Sequence, residues 1–308
     1  MISIFLRGLL CGLLLLSLSC KTGGQIVNKY TGETPGMTPK VFAPGLISLP
    51  DRSEFGSVLS EDGTELYYGI DIDGRTETHY SRWTKKGWST PEVILSHPTY
   101  GYNDPFLSPD EQKLYVISDQ ALDGKGEPQK HDIWYVEKKA KGWSAPINAG
   151  PAINSTSSEY YMSFTKEGTM YFATNAKATD GPKRNFDVYA ARAKPGGGFE
   201  EAVALPAAIN TPAYEADAFI AYDESYIIFC SVRRGGLGRG DLYISFKDER
   251  GEWMPAVNMG TDINSEKHEL CPFVSKDGKY FFYTSNQDIY WVDAQIIPKL
   301  RSQFRQKK

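Results

Sequence analysis

Apolar and polar residues alternate in four short runs between Tyr214 and Asn264, and residues typical of turns separate these runs. Aromatic and β-branched residues fill the alternate positions, which is the pattern of half-buried β-strands. An acidic turn at Asp223, a glycine-rich loop at 233–240 and a charged turn at 248–251 lie between the runs. The segment is therefore predicted to form one unit of four antiparallel strands.

This unit recurs along the chain. Its acidic turn has equivalents spaced by 48, 57, 56 and 54 residues, at Asp62, Asp110, Glu167, Asp223 and Asp277. An aromatic strand follows each turn, and an acid followed by apolar and aromatic residues marks the third strand at Asp132, Asp187, Asp241 and Asp288. Self-similarity at a fixed period indicates stacked units that bury their faces against one another.

The turn acid, the Leu-Tyr-Phe-like strand and the Asp-Ile-Tyr-like strand together resemble the WD40-like repeat of TolB-type β-propellers. The resemblance covers residues 40–293. It implies an all-β propeller of four-stranded antiparallel blades. Five repeats are counted in the sequence, and six blades, a number common in that family, are the alternative. Because propellers serve unrelated functions, the resemblance indicates a fold and leaves the function open.

The N-terminal strand is predicted to close the ring. The last repeat, from Glu269 to Val292, contains three predicted strands and no fourth. Residues 40–50 precede the first repeat and have the aromatic, proline and apolar sequence of a fourth strand. If they complete the last blade, they also cover a sheet edge that would otherwise be open to aggregation.

Residues 1–19 have the features of a signal peptide. Arg7 is their only charge, and the apolar run from Leu9 to Leu16 is too short to span a membrane. Cys20 follows small residues and resembles the lipidated cysteine of bacterial lipoproteins, although Ser17 stands where that pattern prefers an aliphatic residue. An ordinary secretion signal with an incidental cysteine is the alternative.

The flanks of the propeller are predicted to be a tether and a tail. Residues 20–39 are rich in Gly, Thr and Pro, which predicts a flexible tether. Residues 294–308 form a basic C-terminal tail, which is expected to be solvated and frayed. With lipidation at Cys20 and no acidic pair after it, we expect a protein of the cell envelope that is anchored in the outer membrane and faces the periplasm.

Composition excludes little but agrees with the fold. The formal net charge is −4 at pH 7, which gives no indication of a nucleic-acid partner. Hydrophobic residues make up 41% and aromatic residues 13% of the chain, which suits a globular protein rich in strands. We expect a monomer.

No catalytic or metal-binding pattern is recognisable in the sequence. The four histidines show no metal-ligand spacing, and there is no G-x-S-x-G motif. The glycine-rich loop at 235–240 precedes a strand rather than a helix, so it does not predict a phosphate site. No cofactor, metal or catalytic residue is therefore expected. Cys230 and Cys271 are interpreted as buried thiols, with a disulfide as the alternative.

Candidate binding residues lie at the starts of the innermost strands, which line the channel of a propeller and begin at one rim. Eight residues before each acidic turn stands a glutamate or a tyrosine, and two residues further on some repeats carry a second acid. Because side chains alternate with period two along a strand, Glu215 and Asp217 are expected to point the same way. The predicted rim comprises Glu54, Tyr102, Asp104, Glu159, Glu215, Asp217, Arg233 and Glu269. The alternative is a structural ring in which each glutamate satisfies backbone groups of the next blade.

These observations favour a binding or scaffolding lipoprotein that presents the rim to a protein segment or a glycan. The alternative is a glycan-active enzyme, a hydrolase or lyase with carboxylates at the channel rim, since the resemblance extends to propellers with such activities. Catalysis by two carboxylates requires an acid and a base in different environments. Glutamates at equivalent positions do not provide that difference, which favours binding.

Overall fold

The computed structural model describes residues 34–176 and 185–306. The predicted signal peptide, Cys20 and most of the predicted tether lie outside the described residues. Within the described part, 21 strands are followed by one helix, Ile296–Gln306.

The strands form five antiparallel sheets, numbered here as blades 1 to 5. Blade 1 consists of Ser53–Leu59, Glu65–Ile72, Arg75–Thr84, Gly87–Trp88 and Glu92–Leu95. Blade 2 consists of Tyr102–Leu107, Lys113–Ser118, Asp132–Glu137 and Ile147–Asn148. Blade 3 consists of Glu159–Phe164, Met170–Thr174, Asp187–Ala191 and Val203–Ala204. Blade 4 consists of Glu215–Ile220, Tyr226–Ser231, Asp241–Phe246 and Val257–Asn258. Blade 5 consists of Glu269–Val274, Tyr280–Ser285, Asp288–Asp293 and Lys40–Val41.

The fold prediction is confirmed: the protein is an all-β propeller with five blades. The first strand of each blade, called the inner strand below, packs beside the inner strands of both neighbouring blades, so the five close into a ring. Each blade is too small to bury its own faces, and its core lies between it and the next blade.

The N-terminal strand closes the ring as predicted. Lys40 pairs with Trp291 and Val41 with Tyr290, so the first strand is the outermost strand of blade 5. The next residue, Phe42, is fully buried and meets the rings of Trp291, Phe282 and Trp88 at centroid distances of 5.3, 5.2 and 6.0 Å. Because Trp88 belongs to blade 1, Phe42 joins the two blades that meet at the closure.

The C-terminal residues differ from the predicted frayed tail. Residues Ile296–Gln306 form a helix whose first turn buries Ile296 and Ile297. The Arg301 guanidinium lies 5.6 Å from the ring of Phe246 in blade 4. The segment carries an apolar stripe among its basic residues, and burial of that stripe anchors the helix. No helix among the described residues is long and apolar enough to cross a membrane.

The repeated Ile-Asn pair has a structural role. The side chain of Asn264 accepts a hydrogen bond from the Leu242 amide at 2.8 Å and donates one to the Leu242 carbonyl at 3.0 Å. Asn154 and Asn210 bind Ile133 and Val188 in the same way. Each asparagine therefore holds the third strand of its blade to the segment that leads into the next blade.

Candidate functional site at the channel

Every inner strand contains a β-bulge near its start. The residue at the bulge has a left-handed backbone in all five blades, with φ of 56°, 48°, 38°, 51° and 50° at Gly56, Asp104, Tyr161, Asp217 and Cys271. Four of the five are not glycine, and such residues adopt this conformation at a cost in free energy. Strain repeated at one level of the channel marks these five residues, here called the channel floor, as a candidate site.

Bonds across the channel connect the floor residues. The Cys271 thiol donates to Asp104 Oδ1 at 3.4 Å, which links blades 5 and 2. The Tyr161 hydroxyl donates to the Pro272 carbonyl at 2.8 Å, which links blades 3 and 5. A Cβ atom on Gly56 would lie 2.4 Å from Asp104 Oδ1, so only glycine fits at this position in blade 1. The side chains of the floor thus fill the middle of the ring.

Asp217 is the floor residue with unsatisfied chemistry. Its side chain is only 8% exposed, and among the described residues no hydrogen-bond or cationic partner reaches it. Burial, with a smaller contribution from the negative charge of Asp104, raises the pKa of Asp217 to about 8. The pKa of Asp104 is raised by burial to about 6, although the hydrogen bond from Cys271 acts in the opposite direction. Among the described residues, neither carboxyl group has a compensating positive charge.

Aromatic side chains stand beside Asp217. Tyr160 and Tyr214 are half-buried, and Phe186 lies between them with ring centroids 5.0 and 5.6 Å away. Tyr160 and Tyr214 pack against the cluster that contains Phe186 and Ala216, the residue that precedes Asp217. Burial raises the pKa of both tyrosines, and negative charge adds to this effect, from Asp104 and then Asp217 at Tyr160 and from Asp217 at Tyr214. Tyr160, Phe186 and Tyr214 are called the aromatic cup below.

A histidine supports the aromatic cup. The Tyr160 hydroxyl lies 3.0 Å from His131 Nδ1. Burial lowers the pKa of His131, so its ring is neutral near pH 7 and brings no positive charge to Asp217.

The predicted rim glutamates lie inside their blades. Glu54, Glu159, Glu215 and Glu269 are all fully buried. Glu215 accepts hydrogen bonds from the Thr211 hydroxyl at 2.6 Å, the Ser231 hydroxyl at 3.1 Å and Arg233 Nε at 3.1 Å. The glutamate therefore fastens the loop that enters the inner strand to the end of the second strand.

The same arrangement recurs around the ring. Glu159 binds the hydroxyls of Ser155 and Thr174 at 2.6 and 2.9 Å, and Glu269 binds those of Ser265 and Ser285 at 2.6 and 2.7 Å. In blade 1, Glu54 instead accepts from Arg52 Nε at 2.5 Å. Burial raises the pKa of Glu54, Glu159 and Glu215 although their donors oppose it.

Two predicted site residues belong to the same internal networks. The Tyr102 hydroxyl, at the glutamate position of blade 2, donates to Gln120 Oε1 at 2.5 Å. Arg233 binds Glu215, donates to the Ile209 carbonyl at 2.5 Å and lies 4.8 Å from the centroid of Tyr243. Neither side chain is free to meet a ligand in this arrangement.

The structure therefore divides the predicted rim. It brings Asp104 and Asp217 together at the channel floor and places Glu54, Tyr102, Glu159, Glu215, Arg233 and Glu269 within blades. The period-two expectation that Glu215 and Asp217 point the same way fails because the bulge lies between them. The glutamates form a structural ring whose hydrogen-bond donors come from their own blade or the segment leading into it, rather than from the next blade. Oε2 of Glu159 has no hydrogen-bond partner among the described residues and lies 4.0 Å from Lys130 Nζ, in the loop before the third strand of blade 2. Ligand binding by any of these residues stays a prediction.

The aromatic cup was not predicted. Tyr160 follows a repeat glutamate and Tyr214 precedes one, and an aromatic residue flanking that position in two adjacent repeats was the available signal. Phe186 comes from a different loop, so only the folded chain shows that the three rings meet.

The two described cysteines are buried, and one of them lies near a histidine. Cys230 and Cys271 are free and buried, and burial raises their pKa. His268 Nε2 lies 3.5 Å from Cys230 Sγ. Within 34–176 and 185–306, no group of three or more His, Cys, Asp and Glu side chains is placed to hold a metal ion.

Comparisons with known proteins support the fold alone. No family model and no curated protein sequence matches this chain. Among solved structures, the α-L-arabinofuranosidase PaAbf62A from Podospora anserina has a TM-score of 0.51 at 10% identity, over 83% of this chain and 97% of that one. TolB from Acinetobacter baumannii has a TM-score of 0.49 at 13% identity, over 78% of this chain.

A third similar structure is an oligogalacturonate lyase from Vibrio parahaemolyticus, with a TM-score of 0.44 at 12% identity over 80% of this chain. The present chain spans 54% of the TolB chain and 65% of the lyase. These three neighbours, an arabinofuranosidase, TolB and a lyase, do not determine a role for this chain.

Proposed function

Because the chain is a five-bladed β-propeller, we propose that it is a binding protein whose channel mouth, at Asp217 and the aromatic cup, receives a positively charged side chain from a segment of a partner protein. The observation that carries this proposal is the state of Asp217, a carboxyl group more than nine-tenths buried without a partner among the described residues.

A cation is the ligand group that this environment lacks. A buried carboxylate without a counter-charge is unfavourable, and an adjacent ammonium or guanidinium group would lower the raised pKa of Asp217 and stabilise its charged form. Aromatic faces attract the same ligands, by about 0.5–2 kcal/mol per cation–π contact. Tyr160 and Tyr214 flank the carboxyl group and could supply such contacts.

A protein segment fits these features better than a neutral glycan does. Hydroxyl groups of a sugar could bond to Asp217, but they would leave its charge uncompensated. Lysine and arginine side chains are long enough to reach a recessed carboxylate while their backbone stays at the surface. The net charge of −4 would also favour encounter with a basic partner.

The binding proposal predicts a specific loss in Asp217→Asn. In a fluorescence-anisotropy screen of labelled hexapeptides that differ only in a central Lys, Arg or norleucine, the parent should bind the cationic peptides at least about tenfold more tightly, since one desolvated charge pair contributes on the order of 1–3 kcal/mol. Asp217→Asn should abolish this preference. Glu167→Gln removes the same charge from an exposed turn and serves as the matched control.

Two results would sink the binding proposal. One is an equal affinity of the parent for the norleucine and lysine peptides. The other is an Asp217→Asn protein that is folded and keeps the full preference.

A glycan-active enzyme is the second candidate, because one observation favours it. Asp104 and Asp217 are two carboxyl groups at one level of the channel whose pKa values lie at about 6 and about 8, and groups that are held apart in pKa can act as base and acid. Against it, the Cys271 thiol and the Asn103 amide already occupy Asp104. Release of reducing ends from a panel of plant and bacterial oligosaccharides, lost in Asp217→Asn, would decide for the enzyme.

We also propose that Cys20 anchors the protein in a membrane of the cell envelope, at the outer membrane facing the periplasm. The lipobox-like sequence before Cys20 supports this location, and a diacyl anchor is strong enough for stable attachment. Cys20→Ser is expected to move the protein to the soluble periplasmic fraction and to abolish incorporation of labelled palmitate. A parent protein that takes up no label and is already soluble would contradict the anchor.

A further inference from the structure

A cavity lies at the end of the channel where the inner strands end, opposite the end that carries the aromatic cup. Its volume is about 360 Å³. Four phenylalanine rings line it, Phe106, Phe164, Phe219 and Phe273, together with aliphatic side chains such as Val58. The rings pack edge to face on one another, with Phe273 at 5.9 Å from both Phe106 and Phe219. The cavity therefore has an apolar wall of aromatic rings that pack on one another.

The cavity lies where the blades carry side chains of different size at one position of the inner strand. The fourth residue after the repeated glutamate or tyrosine is a phenylalanine in blades 2, 4 and 5, namely Phe106, Phe219 and Phe273. The same position holds Val58 in blade 1 and Ser163 in blade 3. The Ser163 hydroxyl donates to the Ala218 carbonyl at 2.7 Å and accepts from the Ile220 amide at 2.9 Å, so it bonds to blade 4. Ser163 is not among the residues that line the cavity, and blade 3 contributes Phe164 instead. Val58 is a small side chain beside the phenylalanine rings and leaves space that they do not fill.

The edge of the cavity carries excess negative charge. Lys276 lies at this edge, but its ammonium group is bound by Glu111 Oε1 at 3.1 Å and lies 3.7 Å from Glu61 Oε2. The carboxylates of Asp223 and Asp277 also line the opening. An anionic ligand would therefore meet net repulsion, and the apolar walls place no charged group beside a buried cation.

We propose that this cavity is a binding site for a small uncharged apolar molecule of the size of two aromatic rings. Its volume falls in the range of about 300–1,000 Å³ that is usual for small-molecule sites, and its lining has the same apolar character. The filled channel floor separates it from Asp217, so the proposal is independent of the binding function at the other mouth.

The neutral fluorophore 1-N-phenylnaphthylamine tests this proposal, because its emission rises when it leaves water. The parent protein should show saturable binding of one molecule per chain. Val58→Phe supplies the missing ring and should weaken binding at least about tenfold. Val203→Phe makes the same change on an outer strand where the side chain is 68% exposed, and should bind as the parent does. Asp217→Asn should also be unchanged.

The structure also allows a test that needs no variant. A crystal soaked with a bromonaphthalene should show anomalous scattering from bromine between Phe219 and Val58. Non-saturable fluorescence, a folded Val58→Phe protein with parental affinity, or bromine found only at other places would each overturn the proposal.

Discussion

Deletion of residues 40–50 is expected to destroy the cooperative unfolding of the propeller. The deletion removes the outermost strand of blade 5 and, with it, Phe42 and Ile47, both fully buried. A large buried aromatic side chain contributes about 3–5 kcal/mol and a buried Ile about 2–5 kcal/mol. Their sum approaches the whole stability of a typical domain, about 5–15 kcal/mol. Differential scanning calorimetry and size-exclusion chromatography should show a lost transition and aggregation through the bare edge.

Phe42→Ala provides a graded version of this experiment. It keeps the strand pairing of Lys40 and Val41 and removes only the ring at the junction of blades 5 and 1, so it should cost about 3–5 kcal/mol. Val203→Ala, in an exposed outer strand, is the control and should stay within about 0.5 kcal/mol of the parent. A deletion protein that melts as the parent does would show that the ring closes without this segment.

Replacement of Asp217 by Asn is expected to stabilise the protein, and increasingly so as the pH rises. The pKa of Asp217 is raised from 3.8 to about 8 in the folded state, so between these values the folded state holds a proton that the unfolded state releases. Stability from this group is complete below pH 4 and is lost as the pH rises toward 8. At about 1.4 kcal/mol per pKa unit the loss reaches a few kcal/mol.

The neutral amide of Asn has no such loss. Asp217→Asn should therefore match the parent near pH 4 and exceed it by a few kcal/mol at pH 8, as measured by urea unfolding across this range. The neighbouring groups whose pKa values respond to Asp217, namely Tyr160, Tyr161, Tyr214, Cys230 and Cys271, are themselves raised and stay neutral over the range. Asp104, raised to about 6, adds a smaller loss in the lower half.

Glu215→Ala is the matched contrast, two residues away on the same strand. This carboxylate has donors, and its removal leaves Arg233 and the hydroxyls of Thr211 and Ser231 without their acceptor. Loss of one partner of a buried pair costs about 3–5 kcal/mol. Opposite signs for the two variants at pH 8 would separate a functional carboxyl group from a structural one. A destabilised Asp217→Asn protein would contradict the assignment.

Most of the fold could be predicted from the sequence because the same pattern of strands and turns occurs five times. The closing strand followed from counting, since the last repeat is one strand short and residues 40–50 supply it. The channel could not be predicted in the same detail. Alternation with period two assumes a regular strand, and the bulges at Asp104 and Asp217 break that alternation.

The candidate site was visible only in part for a similar reason. Asp104 and Asp217 were found because they sit at equivalent repeat positions. The aromatic cup depends on Phe186, which no repeat position marks, and the raised pKa values depend on burial that a sequence pattern does not measure. The apolar cavity depends on where the repeat departs from itself, at Val58.

The bonds across the channel floor change how the ring behaves as a mechanical object. If each blade contacted only its two neighbours, loss of one interface between blades would open the ring while every other interface persisted. The Cys271–Asp104 hydrogen bond crosses the channel and joins blades 5 and 2. The Tyr161–Pro272 hydrogen bond joins blades 3 and 5 in the same way. Both bonds join blades that are not adjacent in the ring, so the blades that they join cannot move apart without stretching a bond. The channel floor is therefore braced across its width as well as around its circumference.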